Sequence, residues 1–188
     1  MLSLRILFER NRYWAGRLRG EFWRLVVRSC GGRCGRGFWL GRGVIWKYAP
    51  HSGLMIGDNV QLGEYCIVDV PLGGELTLGD HVKLSIGCVI AAQERVEIGR
   101  ETLLGEYCSV RDGDHGMDVG SAMRHQPLKT KPVCIGRDVW LGRGVTVLRG
   151  AEICDGVIVG ANAVVLAGVV PARAVCVGSP CRVVKYRL

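Results

Sequence analysis

The densest chemistry in the sequence sits in six consecutive residues, Arg111-Asp112-Gly113-Asp114-His115-Gly116. Histidine exchanges a proton readily near neutral pH, and a carboxylate beside it sets its tautomer and stabilises the imidazolium. His115 is therefore the candidate general base. Asp112 or Asp114 would orient it, with Asp112 favoured because Asp114 also has a structural use in the register set out below. His51, His81 and His125 stand apart from this cluster. His125 lies in a polar stretch that could approach a substrate, although plain surface exposure explains it as well. Three spaced histidines could also meet as a zinc site between chains. The nine cysteines form neither a metal-ligand spacing nor a disulfide framework, so no metal is expected and a reducing compartment is.

The element that must position His115 is a repeat. An aliphatic or similar apolar residue returns every six positions, and the returns fall in threes. They are Cys34, Leu40, Trp46; Ile56, Leu62, Val68; Leu78, Leu84, Ile90; Ile98, Leu104, Val110; Ile135, Leu141, Val147; and Ile153, Val159, Val165. Six residues make one short strand and a corner, and three such units close a triangular coil. About six stacked coils then form an all-β parallel solenoid. Glycine usually follows the apolar residue in the first two columns. In the third column the same position reads Lys47, Asp69, Ala91, Arg111, Leu148 and Leu166. The insertions also fall after the third column, the largest over residues 116–133, and loops on a rigid scaffold commonly carry function. In this register Asp114 takes the fifth, inward slot of its hexad, where a charge needs a partner. Cys66, Cys88 and Cys108 share that slot in the second column, which suits small buried thiols.

The formal charge of +8 is local: residues 1–43 hold ten arginines against Glu9 and Glu21, and the remainder is neutral. That is not the footprint of a nucleic-acid binder. Residues 1–29 read as a basic amphipathic helical arm, one or two helices interrupted near Gly16 and Gly20, preceding a repeat domain over 30–188. Trp14, Leu18, Phe22, Leu25 and Val26 follow helical spacing, with Arg10, Arg17, Arg24 and Arg28 on the intervening faces. The apolar side would pack on the solenoid or a sister subunit, or residues 1–28 would rest on anionic lipid. No stretch reads as a signal peptide or a membrane span, so a cytoplasmic protein is expected, with the arm as its one route to the inner face of a membrane.

The hexads, the Asp-x-Asp-His-Gly element before an inserted loop, Val139-Trp140-Leu141-Gly142 and the terminal Gly178-Ser179-Pro180-Cys181-Arg182-Val183-Val184-Lys185 resemble the hexapeptide-repeat acyltransferases. The similarity runs over residues 30–188 and is greatest to the sugar O-acetyltransferases of galactosides, maltose, nodulation factors and bacterial polysaccharides. It implies a left-handed parallel β-helix with a short C-terminal tail, opposite to the usual crossover rule. It also implies a homotrimer with acetyl-CoA bound between adjacent subunits. Carried over by position, His115 matches the catalytic base. Arg143 stands beside the pantetheine arm, where serine or alanine is usual, and Ala161 offers a backbone contact to that arm. Trp140 lies near the cofactor channel, Arg182 and Lys185 near the CoA phosphates, and Ser85 faces the acceptor where asparagine is common. Leu166-Ala167 replace a common threonine and lysine, of which the lysine helps to hold CoA. The expected reaction is acetyl transfer to a sugar hydroxyl of a surface polysaccharide or its precursor. The Gly142 N–H of a neighbouring chain would stabilise the oxyanion. N-acetylation of an amino sugar, a metal-dependent carbonic-anhydrase-like trimer and a non-catalytic scaffold are the alternatives.

Overall fold

The computed structural model describes residues 2–188, with side chains from Asn11 onward. Arg10, assigned above to a polar face of the arm, lies outside the described side chains. One helix, α1 (Leu2–Ser29), precedes a succession of strands two to five residues long.

Each column of hexads becomes one parallel sheet. The first sheet has seven strands, from Arg33–Cys34 to Gly168–Val170, and the third has six, from Ile45–Trp46 to Val164–Val165. The second has eight, because Arg182–Tyr186 folds back antiparallel onto Ala174–Val177 as the C-terminal tail. Cross-coil pairs join hexad starts, as in Cys34 with Ile56, Leu40 with Leu62 and Ile90 with Val110. The result is a left-handed β-helix of about six turns, with its buried core running along the axis of the prism.

The corners show what the glycines do. A Cβ on Gly63 would stand 2.6 Å from the Ser85 carbonyl carbon of the next coil. The second hexad position is thus small because the coils stack closely. The bend itself is made at the fourth position, where Tyr65 and Tyr107 both have φ 58° and Asn162 also 58°, a conformation side chains other than glycine adopt only under tertiary constraint. Cys66, Cys88 and Cys108 fill the inward slot as expected and are fully buried. Their thiols donate to the carbonyls of Ser85, Gly105 and Gly142, each at 3.1 Å. Cys108 and Cys66, the neighbouring thiols of this column, together with burial, push the Cys88 thiol far above its ordinary pKa. It is a packing group rather than a nucleophile.

The arm differs from expectation in two ways. It is one continuous helix, because Gly16 and Gly20 are contact points and not breaks. A Cβ on Gly16 would lie 2.2 Å from the Trp39 ring, and one on Gly20 would lie 1.9 Å from the Phe38 carbonyl oxygen. Close backbone approach to the first coil offsets the weak helix propensity of glycine. The same face buries Val27 and stacks Trp23 on Trp46 with centroids 4.9 Å apart. Trp39 Nε1 donates to the Tyr13 carbonyl (3.1 Å) and Arg19 Nε to that of Leu40 (3.0 Å). As a consequence, Trp14, Leu18, Phe22 and Leu25 point away from the solenoid and are 58, 72, 62 and 62 % exposed.

The insertion begins earlier than the hexad register suggests. The chain leaves the coil after Asp112 and forms a hairpin of Gly113–His115 with Leu128–Thr130, then a 3-10 turn at Met123–His125 lies in its loop. The coil resumes at Val133–Ile135. Asp112, not Asp114, is the carboxylate drawn into the core.

Candidate active site

His115 ends the first strand of that hairpin, opposite Leu128, at the corner between the third and first sheets. Neither aspartate orients it. Asp112 is fully buried, and its oxygens accept the backbone N–H groups of Gln93 (2.7 Å), Glu94 (2.8 Å) and Arg95 (2.6 Å). Those three donors form the preceding corner between the third and first sheets, so Asp112 fastens the root of the hairpin to the solenoid. Asp114 accepts from Arg149 Nε at 2.6 Å and holds the hairpin to the following coil. The sequence expectation that one of them orients His115 meets two carboxylates already engaged with other partners.

His115 opens onto a cavity of about 290 Å³ shared with Lys47, Tyr48, Asp69, Gln93 and Arg111. Lys47 Nζ bonds Asp69 Oδ2 at 2.6 Å, which raises the lysine pKa, while Asp69 Oδ1 is buried with no partner among the described residues. An unpaired acceptor in a polar cavity is suited to a ligand hydroxyl. These residues were not singled out as site residues. Their signal was the second position of the third column, where Lys47, Asp69 and Arg111 stack in consecutive register with Ala91. His125 is exposed and does not line this cavity. His51 has both ring nitrogens engaged, Nδ1 by the Gly53 N–H (3.1 Å) and Nε2 by the Val70 carbonyl (3.2 Å). It is a structural residue, which removes it from any three-histidine zinc site. Among the described residues no three His, Cys, Asp or Glu side chains are grouped to hold a metal.

The other expected residues gather along the second sheet. Ser85, Trp140 and Arg143 line a groove of about 380 Å³ with Lys83 and Glu106. Arg143 lies over the Tyr107 ring, 5.6 Å from its centroid. Strand register runs from Trp140 through Ile158 and Val175 to Lys185. The aromatic side chain and the C-terminal cations Arg182 and Lys185 thus share one sheet.

Gly142 cannot serve as the oxyanion donor, because its N–H is bonded to the Val159 carbonyl at 2.8 Å. The available donors are one residue further on. The N–H groups of Arg143 and Ala161 reach no protein acceptor among the described residues. At the equivalent positions of the first column, the N–H of Arg36 is capped by Asp58 (2.6 Å), that of Asp58 by Asp80 (2.7 Å) and that of Arg137 by Asp155 (2.9 Å). The contrast was visible in sequence: aspartate follows the second position in several first-column hexads and in none of the second. Gly142 contributes by being small, since a Cβ there would stand 2.8 Å from the Ala161 nitrogen.

The two depressions lie on different edges of the prism. The linings of the His115 cavity and the Trp140–Arg143 groove share no residue.

Residues 135–167 match the bacterial transferase hexapeptide (six repeats) family. An Escherichia coli protein whose name assigns it to O-acetyl transfer in lipopolysaccharide biosynthesis is 36% identical over 137 residues, covering 69% of each chain. A Mycobacterium tuberculosis protein with an acetyltransferase name is 37% identical over 150 residues, which are 79% of this chain and 49% of that one. The chain therefore spans about half the length of the mycobacterial relative. Among solved structures, a mutant of the Bacillus cereus N-acyltransferase AntD, in complex with an amino sugar nucleotide and coenzyme A, superposes with a TM-score of 0.72. It does so at 19% identity, covering 82% of this chain and 83% of that one, a likeness of fold.

The role assigned to Asp112 is directly testable. Asp112→Asn turns an amide toward N–H donors and should destabilise the protein by about 2–3 kcal/mol in denaturant unfolding. Unchanged stability with a selective loss of turnover would return the carboxylate to the catalytic group.

Proposed function

Because the chain belongs to the bacterial hexapeptide-repeat transferases, we propose that it is an acetyl-CoA-dependent O-acetyltransferase of a sugar hydroxyl in a surface polysaccharide or its precursor. The observation that carries this reading is the pair of complementary half-sites. One edge holds a proton acceptor and a polar cavity, and the other holds free amides and cations. Each becomes whole when the His115 edge of one chain meets the Arg143 edge of another, and a closed ring of three prisms pairs every His115 edge with an Arg143 edge. Residues on both sides of the site then come from different copies in a homotrimer.

Acetyl-CoA supplies the activated acetyl thioester. His115 takes the proton of the acceptor hydroxyl as its oxygen bonds to the carbonyl carbon, and returns that proton to the departing sulfur. The Arg143 N–H donates to the carbonyl oxygen as negative charge builds there, with Ala161 offering a second amide along the bound arm. Arg182 and Lys185 pair with phosphate oxygens. Asp69 Oδ1 and Gln93 hold the acceptor. An amino-sugar acceptor would use the same groups, but no feature of this structure favours it.

The nine free cysteines fit a cytoplasmic enzyme. Among the described residues no helix is long and apolar enough to cross a membrane. The apolar stripe Trp14-Leu18-Phe22-Leu25 of α1 nevertheless faces outward, and Arg17 and Arg28, each three residues beyond a member of the stripe, border it along one side. That combination suits the headgroup boundary of an anionic leaflet, where each nearby arginine adds about 1 kcal/mol of salt-sensitive attraction.

Incubation with acetyl-CoA and a panel of sugars should release free thiol with the true acceptor, and His115→Ala should slow that release by roughly 10²–10⁴-fold without loss of fold. Near-normal turnover by this variant would end the assignment of His115.

The helix face calls for surface substitutions, since deleting α1 would uncover Trp39 and Trp46. Trp14→Ser with Phe22→Ser should leave melting and turnover on a soluble acceptor unchanged and abolish sedimentation with phosphatidylglycerol vesicles. Equal sedimentation of variant and parent, or a parent that never sediments, would remove the membrane contact. Dissociation of the oligomer by the same pair would instead identify the stripe as a subunit interface.

A further inference from the structure

A cavity of about 370 Å³ lies between α1 and the corner joining the second and third sheets in the first three coils. It is lined by Arg12, Arg19, Arg42, Glu64, Tyr65 and Ile86. Three guanidinium groups therefore meet one carboxylate. Glu64 is already engaged by Arg12, whose Nε stands 2.9 Å from Oε1 and whose Nη2 bonds the same oxygen. Arg19 uses Nε on the Leu40 carbonyl, so its terminal nitrogens are uncommitted among the described residues. Arg42 lies over the Tyr65 ring at 5.7 Å and has no acidic partner among the described residues. Two positive charges thus face the cavity without compensation. Among the described residues the solenoid places one acid there, Glu64, against three guanidinium groups.

The position of the cavity gives those charges a use. Ile86 in its wall directly follows Ser85, which lines the groove with Trp140 and Arg143. The two depressions adjoin along one edge of the prism, the arginine cavity toward the helix and the groove toward the C-terminal end. A molecule presenting a hydroxyl near Ser85 can extend its other end among Arg12, Arg19 and Arg42. Guanidinium forks match the spacing of phosphoryl oxygens and bind them by paired, charge-assisted hydrogen bonds. A neutral sugar would leave the two charges unanswered.

Resting on the acetyl-transfer reading above, we infer that the acceptor is a phosphate-bearing sugar, a glycosyl phosphate or diphosphate whose phosphoryl group is held by Arg19 and Arg42 while its hydroxyl is acetylated. The carrier attached beyond the phosphate points toward α1, beside its outward apolar stripe.

The test is calorimetric titration of the full-length chain with glucose 1-phosphate, inorganic pyrophosphate and glucose, with Arg42→Gln and Glu64→Gln beside the parent and the fold of each checked by melting. The parent should bind both phosphorylated probes at least tenfold more tightly than glucose. Arg42→Gln should weaken them several-fold. Glu64→Gln, which removes the one carboxylate among the described residues lining the cavity, should tighten them. A cluster that merely docks the helix would lose affinity in both variants or in neither, and either result overturns the proposal, as does a parent that binds the phosphorylated probes no better than glucose. If Arg42→Gln instead loses phosphatidylglycerol vesicles and keeps glucose 1-phosphate, the cavity takes a lipid headgroup and the proposal also falls. Thiol release from acetyl-CoA is read separately: phosphate binding without any transfer would count against the acetyltransferase reading and leave the anion cavity standing.

Discussion

The second N–H of each second-column hexad is committed to the coil that follows. Gly41 donates to Leu62, Gly63 to Leu84, Gly105 to Leu141 and Gly142 to Val159, all at 2.8 Å. This ladder stacks the coils closely enough to exclude a Cβ at most of those positions, and it fixes which amide at each corner is spent and which is left. The third N–H must be capped by a side chain, be given to solvent or be given to a ligand. Aspartates cap it at one corner and nothing caps it at another. The chemistry proposed for Arg143 and Ala161 is a remainder of the way the solenoid is held together.

The same constraint explains why His115 sits apart from the Arg143 edge. A triangular coil offers three edges, and a side chain on one cannot reach across a core filled by Leu104, Val110 and Leu141. An insertion can only lengthen an edge it already occupies. The hairpin carrying His115 is fixed below by Asp112 and above by Arg149 with Asp114, which gives the histidine a rigid position on an otherwise open corner. Under the proposed function, reaction geometry depends on bringing two rigid edges together, a route to precision that needs no moving lid.

The hexads were legible because stacking imposes strict spacing, and the three sheets follow the three columns residue for residue. The arm was legible as a helix but not in its orientation. Gly16 and Gly20 carry a propensity penalty that suggests breaks, and only the nearness of Trp39 and Phe38 reveals that they are contact points. The same glycines turn Trp14, Leu18, Phe22 and Leu25 outward, against the usual rule that the apolar face looks inward. His115 and the Trp140–Arg143 region, singled out in the sequence, each line a depression of the surface. The work of Asp112 could not be read from sequence, because a carboxylate next to a histidine looks the same whether its oxygens face the ring or three backbone amides. The unused amide at Arg143 could have been found by asking which corners lack an aspartate cap.

The central claim is that the site is completed between chains, and subunit complementation tests it most directly. His115→Ala removes the base edge, and Ala161→Trp fills the amide edge. Each variant alone should be inactive. Hybrid oligomers formed by co-expressing the two with different tags, and purified through both, should recover acetyl-CoA-dependent thiol release, because some interfaces then unite an intact His115 with an intact Ala161. Hybrids as inactive as their parents, or full activity from a monomer in light scattering, would contradict the account.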